Sequence, residues 1–407
     1  MSGSQSLPIE FACGNCGEAL ATPISSIGAQ VKCPGCQTVQ TVPSPTREQS
    51  PPAGPMAPVT PPPPIGGGNN REQLPGSVAG GTASESCVGK ETPTKKLFDR
   101  ITGEISKIYV GQDELVLGAL VALFSNGHVL IESVPGLGKT LLVRTLGQVL
   151  GCHFGRIQFT ADLMPSDITG APIFDMKIQE FRFRPGPVFT QLLLADEINR
   201  SPAKTHAALL EIMQEYRVTI DGKSHEIDRP FLVLATQNPI ESEGTYNLPE
   251  AQLDRFMFKL IADYPTTEDE ARILDLHSRQ VDINDRLTQE LETVTSPEEI
   301  LAITRENADV RMDTRLIDYI NRIVRLTREW PNLHMGASPR AGLALVQGAR
   351  TLAALRGRDY AVPDDVVEIA LPVLRHRVIL SAEAEVEGHE VDELLRGLVR
   401  SVEVPRL

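Results

Sequence analysis

The chain has 407 residues, 41% of them hydrophobic, enough to bury a substantial core in two or three folded units. Its 39 basic and 53 acidic residues leave a net charge of −14, which argues against a dominant nucleic-acid or anionic-membrane surface. No apolar run approaches the roughly 18–20 residues that cross a bilayer; Leu115 to Phe124 is interrupted by Gly118 and closed by Ser125-Asn-Gly-His128.

The opening Met-Ser-Gly-Ser-Gln-Ser lacks the basic and apolar regions of a secretion signal, so a cytoplasmic protein is expected. Residues 1–42 hold four of the six cysteines, as Cys13-Gly-Asn-Cys16 and Cys33-Pro-Gly-Cys36. Two such knuckles can set four sulfurs tetrahedrally around one zinc. Alternation in 28–33 and 38–42 predicts short strands around the second knuckle, and the segment resembles a zinc ribbon. Too small for a core of its own, it would draw most of its stability from the metal. A redox dithiol or a disulfide staple would use the same pairs, but a reducing setting and duplicated knuckles weigh against both. Cys87 and Cys152 carry no assignment.

Ten prolines then fall between Pro43 and Pro64, followed by Gly66-Gly-Gly-Asn-Asn70. Residues 43–92 cannot bury enough apolar surface to fold, and are expected to be a disordered Pro/Gly-rich tether.

From Leu97 the pattern turns globular. Leu97, Ile101, Ile105 and Ile108 keep helical spacing, and 115–124 predicts a second helix. Strands are expected at 128–132, 156–160, 191–196, 230–236 and 257–261, with helices between them, which gives a parallel sheet with crossover helices. The first strand runs into Pro135, Gly136, Leu137, Gly138, Lys139 and Thr140, and then a helical run, Leu141 to Leu150. In such a strand–loop–helix the backbone N–H groups and the helix N-terminus converge on phosphates. Lys139 would reach the outer phosphates and Thr140 would ligate magnesium. The usual pattern has glycine where Ser133 stands.

Asp196 and Glu197 end the apolar strand Leu192-Leu-Leu-Ala, 56 residues after Thr140. Alone, this is equally a solvated acidic turn. With the loop upstream, Asp196 can hold magnesium at a C-terminal strand end, and Glu197 can polarise the attacking water. Phe231-Leu-Val-Leu-Ala-Thr-Gln-Asn238-Pro239 is another apolar strand, whose final amide can orient that water; read alone, Asn-Pro is a turn. In the segment 170–187, alternation at Phe174, Met176 and Ile178, and again at Phe181 and Phe183, predicts a hairpin. A second hairpin is expected over 217–227, turning at Asp221-Gly222. The helix between the two hairpins is expected to start with Ser201 as cap and Pro202 as its first residue, burying Leu209, Leu210 and Met213. After Pro265 the pattern reads as wholly helical, at 266–280, 296–304, 313–329, 338–355, 363–372 and 388–400. Ser338 and Pro339 open one of these helices, with Arg340 next.

Six ordered blocks resemble MoxR-type AAA+ ATPases: 134–140, 159–170, 195–200, 235–239, 248–256 and 336–341. The likeness covers roughly residues 94–407. It implies an α/β AAA+ P-loop core (93–264) followed by an all-α lid (265–407), preceded here by the ribbon (1–42) and linker (43–92). It also implies ATP and Mg2+ as cofactors beside the ribbon's Zn2+, and a homo-oligomeric ring, a hexamer. By the same resemblance Val110 and Gly111 lie near the adenine, and Asn238 is the sensor-1 residue. Arg255 would be an arginine finger supplied to the neighbouring subunit, and Arg340 the sensor-2 arginine. The hairpin at 170–187 resembles the helix-2 insert that points to a ring's central pore; a hairpin that merely covers the sheet is the competing reading. The second hairpin is a further candidate for the pore lining. The expected activity is ATP hydrolysis coupled to remodelling or maturing protein clients, with von Willebrand factor A domain proteins as the clients the family suggests. A nucleic-acid motor and a slow nucleotide-gated binding module stay open as alternatives.

Overall fold

The computed structural model describes residues 8–12, 16, 19–23, 30–41, 92–177, 179–238, 246–278 and 283–406. Cys13, all but the last residue of the expected linker (43–91 of 43–92), Ile178 and Pro239 lie outside the described residues. The chain divides into two units, residues 1–81 and residues 82–407.

In the first unit Pro8–Ala12 pairs antiparallel with Ala19–Pro23, and Gln30–Lys32 with Val39–Thr41. Cys33 and Cys36 sit in the turn of the second pair, which is closed by Cys33 N–H donating to the Thr38 carbonyl at 3.0 Å.

The second unit is built on five strands: Val129–Ser133 (β1), Phe154–Gln158 (β2), Leu192–Asp196 (β3), Leu232–Gln237 (β4) and Phe258–Ala262 (β5). All pair in parallel, in the order 5-1-4-3-2. The central strands are near-continuous apolar runs because helices cover both faces. Leu192, Leu194, Leu232 and Leu234 pack on one face, Leu193, Val233 and Ala235 on the other. The first face meets Pro93–Ile105 (α1), Asp113–Phe124 (α2) and Lys139–Leu150 (α3); the second meets Ala203–Glu215 (α4). At the sheet's edge, β2 alternates exposed Arg156 and Gln158 with buried Ile157.

The cap expected for α4 is not there. Pro202, extended at φ −63° and ψ 155°, occupies the capping position and offers no side-chain oxygen. Ser201 is instead buried, with its hydroxyl unpartnered.

Both hairpins form as expected. Gly170–Asp175 pairs with Glu180–Pro185, entered through Gly170 at φ 85°. A Cβ on Gly170 would meet the Arg184 carbonyl at 2.2 Å, so glycine is required there. Arg217–Ile220 pairs with Lys223–Glu226 across Asp221 and Gly222, both at positive φ (49° and 75°), as the tightest hairpin turn demands.

The lid is helical but not wholly so. Its helices Pro297–Ala308, Thr314–Leu326 and Pro339–Leu355 each start from a side-chain cap, on Ser296, Asp313 and Ser338. Between them Leu333–Met335 pairs antiparallel with Ile379–Leu380, a ladder of three- and two-residue strands too short to leave a periodic signal. Asp365 opens Pro363–Leu374. Fully buried, it accepts the Val362 N–H and the guanidiniums of Arg356 and Arg358. No described helix is long and apolar enough to cross a membrane.

Candidate functional site

Residues 134–138 turn the end of β1 into α3. Gly136 and Gly138 hold positive φ (91° and 72°), a conformation that side chains resist. Lys139 and Thr140 are the first residues of α3, where backbone N–H groups lack partners within the helix. In the parallel register Gln237 faces Glu132, and Ala235 faces Ala195. Ser133, Asp196 and Asn238 therefore reach the same C-terminal edge of the sheet, where an open parallel sheet gathers ligands.

At that edge Asp196 and Asn238 are nearly buried, at 9% and 7% exposure. The Asp196 Oδ1 accepts the Thr236 hydroxyl at 2.6 Å, and Thr236 Oγ1 accepts the Glu197 N–H at 2.8 Å. Thr236 thus ties the two carboxylate residues to β4. Glu197 itself takes a left-handed backbone (φ 55°, ψ 50°), which turns it out of the strand direction. Its Oε2 accepts Gln158 Nε2 at 2.7 Å and lies 3.3 Å from Arg200 Nη1. Asp196 and Thr140 offer hard oxygen donors, a set that fits magnesium.

Beside the loop lies an apolar cavity of about 160 Å³, lined by Tyr109, Val110, Gly136, Leu137, Gly138 and the lid residues Pro265, Ile273 and Leu276. Gly111, at φ 83°, passes Asp269 so closely that a Cβ would sit 2.9 Å from the aspartate's own. Burial pushes the Tyr109 hydroxyl above its ordinary value.

Arg255 and Arg340 stand elsewhere. Arg255 precedes β5, whose register with β1 sets Phe258 against Val129, at the N-terminal edge of the sheet. The five-residue length of β1 separates that edge from the 134–138 loop by about 16 Å. Arg255 Nη1 donates to the Leu210 carbonyl at 2.9 Å. Arg340, 48% exposed at its side chain, lies 3.9 Å from the Asp254 carboxylate. The two arginines line one cleft of about 220 Å³ with Asp254, Met257, Gln347 and Arg377. Sequence reasoning did not find Arg377, which is 5% exposed and donates to Asp254 and to the Phe256 and Met257 carbonyls. It did not find Arg156 or Gln158 either, whose signal was the polar alternation of an edge strand.

In the first unit the sulfurs of Cys16, Cys33 and Cys36 lie within 4.8 Å of one another, with Cys16 and Cys33 3.6 Å apart. Zinc–sulfur bonds of about 2.3 Å set tetrahedral ligands about 3.8 Å apart, so this triad fits three corners of a zinc site.

A strand–glycine loop–helix on a 5-1-4-3-2 parallel sheet, with acidic strand ends and a helical lid, is the architecture of an AAA+ ATPase. Family models agree: residues 128–258 match "ATPase family associated with various cellular activities (AAA)" and residues 325–398 match "AAA lid domain". An uncharacterized Bacillus subtilis protein, YeaC, is 44% identical over 309 residues, 76% of this chain and 95% of its own. Chaperone MoxR1 of Mycobacterium tuberculosis is 43% identical over 319 residues, covering 76% of this chain and 83% of the relative. Protein MoxR of Methylorubrum extorquens is 32% identical over 330 residues, 75% of this chain and 94% of the relative. A crystal structure of a candidate ATPase from Cytophaga hutchinsonii superposes with a TM-score of 0.72 at 39% identity, covering 77% of this chain and 96% of that one. The chain belongs to the MoxR family of AAA+ ATPases.

Proposed function

We propose that this chain hydrolyses ATP at the interfaces of a homo-oligomeric ring, a hexamer by family resemblance, and spends each cycle remodelling a protein client. Pro135 to Thr140 would cradle the phosphates, with Lys139 on the outer ones. Val110 and Gly111 would frame the base in the apolar cavity beside the loop. Thr140 and Asp196 would hold magnesium, which supplies charge neutralisation on the phosphates. Glu197 polarises the attacking water and Asn238 orients it.

The observation that carries this reading is the position of Arg255 and Arg340 in one cleft at the edge of the sheet opposite the phosphate loop. Neither reaches its own subunit's phosphates from there. A neighbour's nucleotide is the target that explains both cations, so Arg340 would act in trans beside Arg255.

The client role rests on the likeness to Chaperone MoxR1, and von Willebrand factor A domain proteins are the client class proposed. The four ribbon cysteines, Cys13 included, would hold one structural zinc and make the first unit a recruiting head, and a cytoplasmic setting would keep its thiols reduced.

The test mixes two inactive variants. Glu197→Gln should bind ATP without turnover, and Arg255→Ala should bind ATP but hydrolyse little. Mixed, they should recover part of the wild-type rate, because some interfaces receive both intact halves. Normal hydrolysis by a monomeric Arg255→Ala chain would overturn the ring reading. Lys139→Ala should lose nucleotide binding outright.

A further inference from the structure

Both oxygens of the Asp196 carboxylate are engaged. Oδ1 takes the Thr236 hydroxyl, and Oδ2 accepts Arg156 Nη2 at 2.7 Å. The same guanidinium nitrogen donates to Gln158 Oε1 at 2.7 Å, and Gln158 Nε2 donates on to Glu197 at 2.7 Å. Arg156 therefore stands at the head of a chain of bonds that touches both acidic residues of the site.

We infer that Arg156 is a positioning residue that keeps the metal's place on Asp196: its guanidinium neutralises the carboxylate until a divalent cation takes Oδ2 from it. The inference rests on Asp196 being the magnesium carboxylate, as proposed above. Three features carry it. The Asp196 side chain is only 13% exposed, and an unpaired carboxylate at that depth is costly, so some cation belongs there. Arg156 is 46% exposed on the edge strand, so it has solvent to swing into. The exchange involves a single oxygen, because Thr236 holds the other and keeps Asp196 in place. The same guanidinium nitrogen donates to Gln158, so its departure loosens one of the bonds that lead to Glu197, whose Oε2 keeps Arg200 at 3.3 Å.

The test titrates Mg2+ against a fluorescent ATP analogue bound to the full chain, and records Mg2+-induced thermal shifts alongside. Arg156→Gln should lower the half-saturating Mg2+ concentration by roughly 2- to 5-fold, the size of one partly exposed ion pair. Its analogue binding in EDTA should match wild type. Arg156→Lys, which keeps the cation but loses the fork, should shift less in the same direction. An unchanged or higher Mg2+ requirement in both variants would make Arg156 a static strut and overturn the inference. So would weaker analogue binding in EDTA, which would make Arg156 a phosphate ligand. Asp196→Asn separates the two levels: it should raise the half-saturating Mg2+ concentration and make it insensitive to Arg156→Gln. If Asp196→Asn leaves the Mg2+ requirement at the wild-type value, the magnesium assignment of Asp196 is what fails.

Discussion

Arg377 Nε lies 2.9 Å from Asp254 Oδ1, joining the lid to the residue immediately before Arg255. The same carboxylate accepts the Ser338 hydroxyl at 2.9 Å and faces Arg340. One aspartate thus fixes the turn that carries Arg255, the cap of the helix carrying Arg340, and a buried guanidinium. Burial disfavours the charged form of Arg377, and Asp254 opposes that.

Removing Arg377 strips the partly buried Asp254 carboxylate of its closest cation and leaves the Phe256 and Met257 carbonyls without their donor. Arg377→Ala should therefore cost about 3–5 kcal/mol of stability, read from chemical denaturation. ATP turnover should fall with it, because the Asp254 carboxylate that faces Arg340 loses its buried partner, while nucleotide binding at the distant 134–140 loop should persist in the folded fraction. A loss below about 1 kcal/mol would place the pair among exposed, weakly contributing bridges.

Acid should destabilise the second unit through His128. Its Nε2 bonds the Met213 carbonyl at 3.0 Å and its Nδ1 accepts the Val233 N–H at 3.1 Å, which fixes a neutral ring. Burial pushes its pKa down from 6.5 to about 4. Below pH 6.5 the unfolded chain takes up a proton that the folded chain refuses, so stability falls as pH drops. The loss is complete near pH 4 and amounts to roughly 3 kcal/mol. His376, also held neutral by burial, acts in the same direction. Urea midpoints measured between pH 7 and about 4 should show this slope, and His128→Gln should flatten it. A His128→Gln slope equal to wild type would assign the acid sensitivity elsewhere.

The sheet and the turn from β1 into α3 were legible because they rest on local signals: buried apolar runs, two glycines at positive φ, and carboxylates at strand ends. What escaped was non-local or too short. Arg377 and Asp254 are 123 residues apart, and no period links them. Arg156 gave only an edge-strand alternation, and its pairing to Asp196 needed the register between β2 and β3. The Ser201 cap failed because Pro202 could take the capping position as well as the first helical one. The likeness to known rings placed Arg340 near a phosphate, but only its tie to Asp254 assigns it an edge of the sheet.

The hairpin of Gly170–Asp175 and Glu180–Pro185 leaves apolar side chains in solvent, Met176 at 84% and Phe181 at 73% exposure, with Phe174 packed edge-on to Phe181 at 5.2 Å. Such exposure is rarely idle. Met176→Ser with Phe181→Ser should change stability by no more than about 0.5 kcal/mol, since both sites are on the surface. Basal ATPase activity should hold, while ATP-dependent protection of a heat-unfolded test protein from aggregation should drop. Full protection by the double variant would return the hairpin to a covering role.

Zinc should be structural and separable from catalysis. Four thiolates leave no open position for a water, so the ion cannot be a catalytic one. Elemental analysis should find one zinc per chain. Cys33, 1% exposed and in contact with Cys16, is the residue to remove. Cys33→Ser or a chelator should unfold the first unit, because metal binding supplies most of its folding free energy. The thermal transition of the second unit and its basal ATPase rate should stay near wild type, and partner capture should fall. If stripping the zinc stops ATP hydrolysis, the ribbon belongs to the ring's machinery and is not an independent head.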